Sequence, residues 1–386
     1  MKIYFIGQKG MPGVGGGVEN YVDNLAVRLA KSGHDVFAYT RHNYSDRTKK
    51  EYQGVKLINL PSIPTKNFDT ITHTFLAVID VMFKPADIIH FHSIGPSLLI
   101  WLPKIFKRHT AIIATFQSQC YQHQKWGWFA KRFLKLGERM LCVFADAIIV
   151  PSKILRRYTK LNYNKDTVYI PNGININRER ADNLIKQWGL VKGEYILAVS
   201  RLVRHKGIHY LINAYQGMRT DKKLVIAGAG AFTDDYVAEL KKLAGDNNKI
   251  IFTGNQSGIA LAQLYANAYG FVQPSESEGL SIALLEAMSY GLPIIVSDIN
   301  ENKEAVGGAG LLFKNKNIKE LRRQLYYLIK HKTKRSALAK IAKQKALNSY
   351  NWDDLAGQIA AVYQEAVFNK NKKYITRKIL AHNYLK

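Results

Sequence analysis

The sequence predicts an α/β protein with two domains, each built around a parallel β-sheet. The 386 residues are too many for one hydrophobic core and suit two domains of ordinary size. In both halves, short apolar runs alternate with segments of helical periodicity, a pattern typical of parallel strands joined by helices. Between the halves, Tyr169 to Ile174 contains the proline, asparagine and glycine that mark a linker. We therefore place the domain boundary near residue 171.

The net charge indicates an anionic partner. The composition, with 47% hydrophobic and 22% charged residues, is that of a soluble globular protein, and the formal net charge is +27. Such an excess favours nucleic acid, an acidic membrane face or a phosphorylated substrate. Neither paired zinc ligands nor an aromatic RNA-binding strand pattern is present, so we expect no nucleic acid and favour an anionic membrane surface. A lysine-rich proteome would give the same excess without any function attached.

We expect a cytoplasmic protein, peripheral on the inner face of the cell membrane. The first residues form too short an apolar run for a signal peptide. The longest apolar stretch, Ile71 to Phe83, is interrupted by His73 and Asp80 and is too short to span a bilayer. The two cysteines, Cys120 and Cys142, are too few for a disulfide framework.

The first half begins with a β-α-β unit. A strand from Lys2 to Gly7 leads into a glycine-rich loop, a helix from Val18 to Ser32 and a second strand from Asp35 to Thr40. The glycines could suggest a dinucleotide. However, the loop is longer than a Rossmann turn, and no acidic residue ends the second strand to bind a ribose. We therefore do not predict a nicotinamide cofactor.

Two later segments of this half carry polar groups. His90 and His92 lie two apart in a strand and so share one face of the sheet, but no third ligand is evident and we predict no metal site. The helix predicted from Lys125 to Arg139 mixes aromatic and basic residues. Such a helix can lie on an anionic bilayer, or its aromatic side chains can simply pack inward; the sequence leaves both open.

The second half repeats the β-α alternation. After a strand from Tyr195 to Ser200, Arg201 to Gly207 leads into a helix; later, Leu280 to Tyr290 is predicted as a buried helix between two strands. Glu278 lies at the start of that helix and Glu286 two turns on, about 12 Å away. The helix N-terminus between them is a natural anion site. We expect the nucleotide base of a ligand near Gly228–Gly230 and Gly254–Gln256, because ligands bind beyond the carboxyl ends of parallel strands.

The sequence from Ser277 to Pro293, Ser-Glu-Gly-Leu-Ser-x-x-x-Leu-Glu-Ala-Met-x-x-Gly-x-Pro, resembles the donor signature of the retaining GT-B glycosyltransferases of family 4. Three more motifs resemble the family in the right order: the glycine loop Gly15–Glu19, the strand end Phe91–Ser97, which is similar to a branch that makes bacterial surface polysaccharides, and Arg201 with Lys206. The resemblance runs from Lys2 to about Phe368. It implies two facing Rossmann-like domains with a cleft between them.

The resemblance also implies a function: transfer of a sugar from a nucleoside-diphosphate sugar, with retention, to a lipid-linked or oligosaccharide acceptor, without a metal or a cofactor. Arg201, Lys206 and Glu278 are then the catalytic candidates. The donor-binding candidates are Gly16, Gly17, Glu19, Gly279, Leu280, Ser281 and Glu286. Glu286 would bind the ribose hydroxyls. The acceptor and sugar side would include His92, Gln117 and His123.

The chain departs from the family pattern at Gln117-Ser118, where its relatives have His-Gly. Either the sugar specificity has shifted, or His123 substitutes, or activity is weak. Two other functions therefore stay open: a binding or scaffold protein on the same fold, and a sugar-nucleotide epimerase. The final helix, from 352 to 368, is implied to fold back onto the first domain, and we expect a mobile, basic tail over 369–386.

Overall fold

The computed structural model describes residues 1–13, 16–65, 68–122, 127–175, 179–231 and 233–383, with the backbone alone at 122 and over 373–383. The chain forms two compact units. Unit 1 comprises Met1–Pro171 and Trp352–Lys386, and unit 2 comprises Asn172–Asn351. Both are Rossmann-like: a parallel sheet with helices on its two faces, as the sequence predicted. In the part of the chain that is described, no helix is both long and apolar enough to cross a membrane.

Unit 1 contains an eight-stranded sheet in the order β3-β4-β2-β1-β5-β6-β7-β8, parallel except for the β3–β4 pair. Its strands are β1 (Lys2–Ile6), β2 (Asp35–Arg41), β3 (Glu51–Tyr52), β4 (Val55–Leu60), β5 (Ile88–His92), β6 (Ala111–Thr115), β7 (Ala147–Val150) and β8 (Val168–Tyr169). Its helices are α1 (Gly17–Lys31), α2 (Phe68–Met82), α3 (Trp101–Phe106), α4 (Trp128–Phe144) and α5 (Lys153–Tyr163). The central strands β5 and β6 are buried at every position because both faces of the sheet are covered.

The C-terminal helix belongs to unit 1. It runs from Trp352 to Asn383, so the predicted end of the helix near residue 368 is wrong. The expectation that the basic segment from 369 is mobile stays a prediction. Trp352 and Tyr363 are fully buried in the core that this helix shares with α1. The opposite face of the sheet is covered by α2, α4 and α5.

Unit 2 contains a six-stranded, wholly parallel sheet in the order β9, β10, β11 on one side and β12, β13, β14 on the other, with β9 beside β12. The strands are β9 (Tyr195–Val199), β10 (Lys223–Ala227), β11 (Ile250–Gly254), β12 (Gly270–Gln273), β13 (Ile294–Ser297) and β14 (Leu311–Phe313). The helices are α6 (Ile208–Gln216), α7 (Asp234–Ala244), α8 (Gly258–Asn267), α9 (Ile282–Ser289), α10 (Asn300–Val306), α11 (Ile318–Lys330) and α12 (Lys332–Ser349), and the C-terminal helix of unit 1 is α13 (Trp352–Asn383). Because β9 and β12 are parallel neighbours, the loops after them meet at one edge of the sheet.

Candidate active site

The candidate site of unit 2 lies where the loops after β9 and β12 meet. The amide of Glu276 donates to the carbonyl of His205 over 2.8 Å, which ties the two loops together. Gly207 adopts a φ of +69°, and a Cβ at this position would lie 2.1 Å from the carbonyl oxygen of Pro274. Only glycine therefore permits this approach without a shift of the backbone.

Lys206 and Glu278, which the sequence predicted for one site, are in direct contact. The ammonium nitrogen of Lys206 lies 2.6 and 2.7 Å from the two carboxylate oxygens of Glu278. The Glu278 side chain is only 7% exposed and that of Lys206 16% exposed, so solvent screens the pair weakly. The hydroxyl of Ser275 also donates to Glu278, over 2.7 Å. The loops therefore hold a fixed cation and a fixed carboxylate side by side.

A chain of buried hydrogen bonds supports this loop. The Gln273 amide donates to Asn302 over 2.8 Å and accepts from the Ser281 hydroxyl over 2.6 Å. Asn302 in turn donates to Ser297, whose hydroxyl donates to the carbonyl of Ser275. The sequence analysis missed these residues. Their signal was available, since Gln273 and Ser297 are polar groups at the ends of otherwise apolar strands.

The helix after Glu278 begins later than predicted. Ser281 is its N-cap, accepting a hydrogen bond from the amide of Leu284, and the first helical residue is Ile282. The N–H groups free for an anion at the helix start are thus those of Ile282 and Ala283. Gly279 and Leu280 precede the helix, and the carbonyl of Leu280 accepts from the Asn172 side chain over 2.8 Å. The predicted donor contacts through their amides are therefore loop contacts, not contacts of the helix terminus.

Arg201 and Glu286 are the other two charged residues that the sequence predicted for this site. Arg201 follows β9 and is partly buried; within the described residues its guanidinium has no hydrogen bond or ion pair. Glu286 lies on α9 beside Tyr265. Although part of Glu286 reaches solvent, its carboxyl group is densely enclosed, and this burial raises its pKa to about 7 against a hydrogen bond from Tyr265 that lowers it. A carboxylate in such a place is stabilised by hydroxyl donors.

The glycine loop of unit 1 is described from Gly16 onward. Gly16 is the N-cap of α1, and Gly17 is its first residue. The Glu19 side chain is buried and folds back, so that a Cβ on Gly16 would lie 1.9 Å from its carboxylate. The absence of a side chain at Gly16 thus makes room for Glu19. Whether these residues bind a donor stays a prediction.

His92 is not at a surface. It is fully buried between Phe5, Tyr21 and His90, and burial lowers its pKa to about 3, so it is neutral at physiological pH. Neither ring nitrogen has a hydrogen-bond partner among the described residues. The predicted contact of His92 with an acceptor is therefore wrong for this arrangement of its side chain, which belongs to the core.

Gln117 lies two residues after the end of β6 and is 8% exposed. Its side-chain amide nitrogen is buried and has no partner among the described residues, so it could donate to a ligand. The predicted sugar contact of Gln117 stays a prediction. His123 falls outside the described residues, as do Lys125 and Trp126 of the predicted helix.

The aromatic side chains at the start of α4 do not pack inward. Trp128 is 70% exposed, Phe129 67% and Phe133 46%. Arg132 lies over the Trp128 ring, with its guanidinium carbon 4.9 Å from the centroid. The packing alternative that the sequence left open therefore fails for this helix. In the described part of the chain, no group of three or more His, Cys, Asp or Glu side chains could hold a metal ion.

Comparison with known proteins gives consistent matches over both units. The family model described as Glycosyltransferase Family 4 matches residues 15–178, and the model described as Glycosyl transferases group 1 matches residues 181–345. An uncharacterized glycosyltransferase of Methanocaldococcus jannaschii is 27% identical over 95% of this chain and 99% of its own length. The alpha-monoglucosyldiacylglycerol synthase of Streptococcus pneumoniae is 27% identical over 72% of this chain and 67% of its own. Among solved structures, HepE of Anabaena in complex with UDP-glucose matches with a TM-score of 0.78 at 20% identity, covering 95% of this chain and 100% of that one.

Proposed function

Because the chain belongs to the glycosyltransferases of these two family models and has their GT-B fold, we propose that it moves a hexose from a nucleoside-diphosphate sugar to a lipid-linked or oligosaccharide acceptor. The product would be a cell-surface polysaccharide or a glycolipid. The observation that carries the proposal is the pairing of Lys206 with Glu278 beside the start of α9.

The donor diphosphate would lie between Lys206, Arg201 and the first amides of α9. Two cations and a helix N-terminus suit a dianionic leaving group and stabilise the charge that develops on it. This supports a reaction that needs no metal. Glu278 would accept hydrogen bonds from the sugar hydroxyls, and Glu286 from those of the ribose. A nucleotide sugar is also the ligand of HepE in the matching solved structure.

Retention at the anomeric carbon is part of the proposal. An inverting transfer needs a carboxylate base near the acceptor. Glu278 is a poor candidate for that base, because both of its oxygens already accept hydrogen bonds from the Lys206 ammonium. This observation favours retention, in which no enzymic base is needed to deprotonate an acceptor hydroxyl that attacks from the face opposite the leaving group.

The acceptor side of the proposal rests on unit 1. The name of the Streptococcus pneumoniae relative describes the synthesis of a glucosyl lipid, and a lipid acceptor would bring the enzyme to a membrane. The exposed aromatic and basic residues of α4 fit the headgroup region of an anionic bilayer. We therefore propose that the protein binds peripherally to the cytoplasmic face of the membrane.

Lys206→Ala tests the catalytic assignment. Hydrolysis and transfer are measured with a panel of nucleotide sugars that includes UDP-glucose, in buffer with and without a metal chelator. We expect a loss of about a hundredfold in kcat, as for other single groups that stabilise a leaving charge. Lys241→Ala, on the exposed surface of α7, is the matched control and should keep full activity. Equal turnover by both variants would overturn the proposal, and loss of activity with the chelator would overturn metal independence.

A further inference from the structure

Helix α2 has two apolar faces, only one of which is covered. Ala77, Val78 and Val81 pack into the core of unit 1. On the other side, Phe75 is 49% exposed and Ile79 43%. Phe68 and Leu76 extend the same exposed side along the helix, and Phe83 follows its last residue and is also exposed. A helix that is apolar all round is normally buried, so this second face indicates a partner.

The exposed face of α2 borders a groove of about 550 Å³, which lies within the range of ligand sites. Its lining is almost wholly apolar: Pro61, Ile63, Ile71, Phe75, Leu76 and Leu99, with Ser62 and Thr72 as the polar members. Both polar members are engaged. The hydroxyl of Ser62 donates to Asp69 over 2.7 Å, and the hydroxyl of Thr72 accepts from the amide of Ile63 over 3.1 Å.

These contacts fix the wall of the groove. Asp69, which accepts the hydrogen bond from Ser62, also forms an ion pair of 2.5 Å with the fully buried Arg41. Through Ser62 and Ile63, the segment after β4 is thereby held against α2. The groove is a built feature of unit 1, and the described residues of its lining offer a ligand hydrocarbon contact and no free hydrogen-bonding side chain.

The surface beside the groove is basic. α3 packs against both α2 and α4, so the three helices share one layer on the same face of the sheet. From Leu99 to Phe144 the sequence has one acidic residue, Glu138, which is fully buried and accepts from Tyr158 and Tyr163. The same stretch has eight basic residues: Lys104, Lys107, Arg108, Lys125, Lys131, Arg132, Lys135 and Arg139. An anionic surface is complementary to this layer.

We propose that the groove binds one hydrocarbon chain of an anionic membrane phospholipid while the basic side chains of α3 and α4 contact headgroups. This inference rests on the membrane location given under the proposed function. A second copy of the protein is a poorer occupant, because it would bring like charges against Arg108, Arg132 and Arg139. A peptide is also poorer, because the groove leaves its main chain without hydrogen-bond partners.

The test uses the full-length protein and vesicles of phosphatidylglycerol with phosphatidylcholine. The photoreactive variant Leu76→p-benzoylphenylalanine is irradiated with the vesicles, and mass spectrometry identifies the adduct. Ile259→p-benzoylphenylalanine, at a 63% exposed position on α8, is the control. We expect a phospholipid adduct, attached through its acyl chain, at position 76 and none at 259. An adduct to a second protein chain, or no lipid adduct at 76, overturns the proposal.

A second measurement compares Phe75→Ser with Ile259→Ser in vesicle sedimentation. Losing one buried phenyl group should lower the partition coefficient of Phe75→Ser about tenfold or more, while Ile259→Ser sediments as the wild type does. Equal partitioning of the two variants into vesicles would contradict the proposal that the groove binds a lipid chain. Donor hydrolysis without vesicles is measured on the same samples, because it reports on folding and on the proposed function. Lipid adducts without donor hydrolysis would overturn only the proposed enzymatic function. Donor hydrolysis without lipid adducts would overturn only the proposed lipid binding in the groove.

Discussion

Replacing Glu286 with glutamine should stabilise the free protein at alkaline pH while weakening donor binding. Burial raises the pKa of Glu286 from its ordinary value of 4.5 to about 7. Between these two values the folded protein binds more protons than the unfolded chain, so the free energy of unfolding falls as the pH rises through this range. The whole shift corresponds to about 3 kcal/mol at pH 8, an amount that glutamine would not lose because it carries no charge.

The assay is thermal unfolding at pH 5 and pH 8. For a unit of the size of residues 172–351, the melting temperature of Glu286→Gln should gain roughly 5–10 °C on the wild type between these pH values. Asp235→Asn, exposed on α7, serves as the control and should show a constant difference. A constant difference for Glu286→Gln as well would refute the reasoning about its burial.

The same variant tests the ribose contact. Titration with a nucleotide sugar should show affinity weakened about tenfold to a hundredfold, the value of hydrogen bonds to a charged group. Unchanged affinity would remove Glu286 from the donor site, even if the pH dependence of stability were as expected.

Two further substitutions probe the scaffold. Trp352→Ala should lower the free energy of unfolding by about 3–5 kcal/mol, because the ring is fully buried beside Tyr21; chemical denaturation measures this, and a loss below about 1 kcal/mol would contradict the packing. Gly207→Ala should abolish donor binding in calorimetric titration, because its Cβ would meet Pro274. Gly193→Ala is the control, since it has a similar φ of +73° but nothing within 4 Å, and equal losses in both would show that strain alone is responsible.

The fold could be predicted from the sequence because its central strands are short, mostly apolar segments that alternate with helices. β5 and β6 are buried at every position, and such runs followed by helical periodicity favour a parallel sheet. The end of α13 could not be predicted in the same way. Its charged residues after Phe368 suggested a tail, whereas neither glycine nor proline interrupts the helix there, and Lys370 forms an ion pair of 3.1 Å with Asp146.

Two of the charged residues predicted for one site are in contact, whereas the polar residues that support their loop were not predicted. Lys206 and Glu278 are 72 residues apart in sequence, and the family resemblance assigned them to one site. The β-α pattern alone could not do so, because it does not say that β9 and β12, which they follow, are neighbours. His92 shows the limit of pattern reasoning. Period-two alternation places His90 and His92 on one face, but it does not say which helix covers that face. That helix is α13, whose Tyr363 hydroxyl lies 2.6 Å from His90.

The discontinuity of unit 1 has a consequence for biosynthesis. Residues 172–351 are contiguous, so unit 2 can fold as soon as this stretch has left the ribosome. Unit 1 is translated first but lacks Trp352 and Tyr363, and part of its core stays open until the last tenth of the chain has been made. Nascent chains stalled before Trp352 should therefore recruit chaperones to the earlier half, and tags fused after α13 are safer than truncations within it.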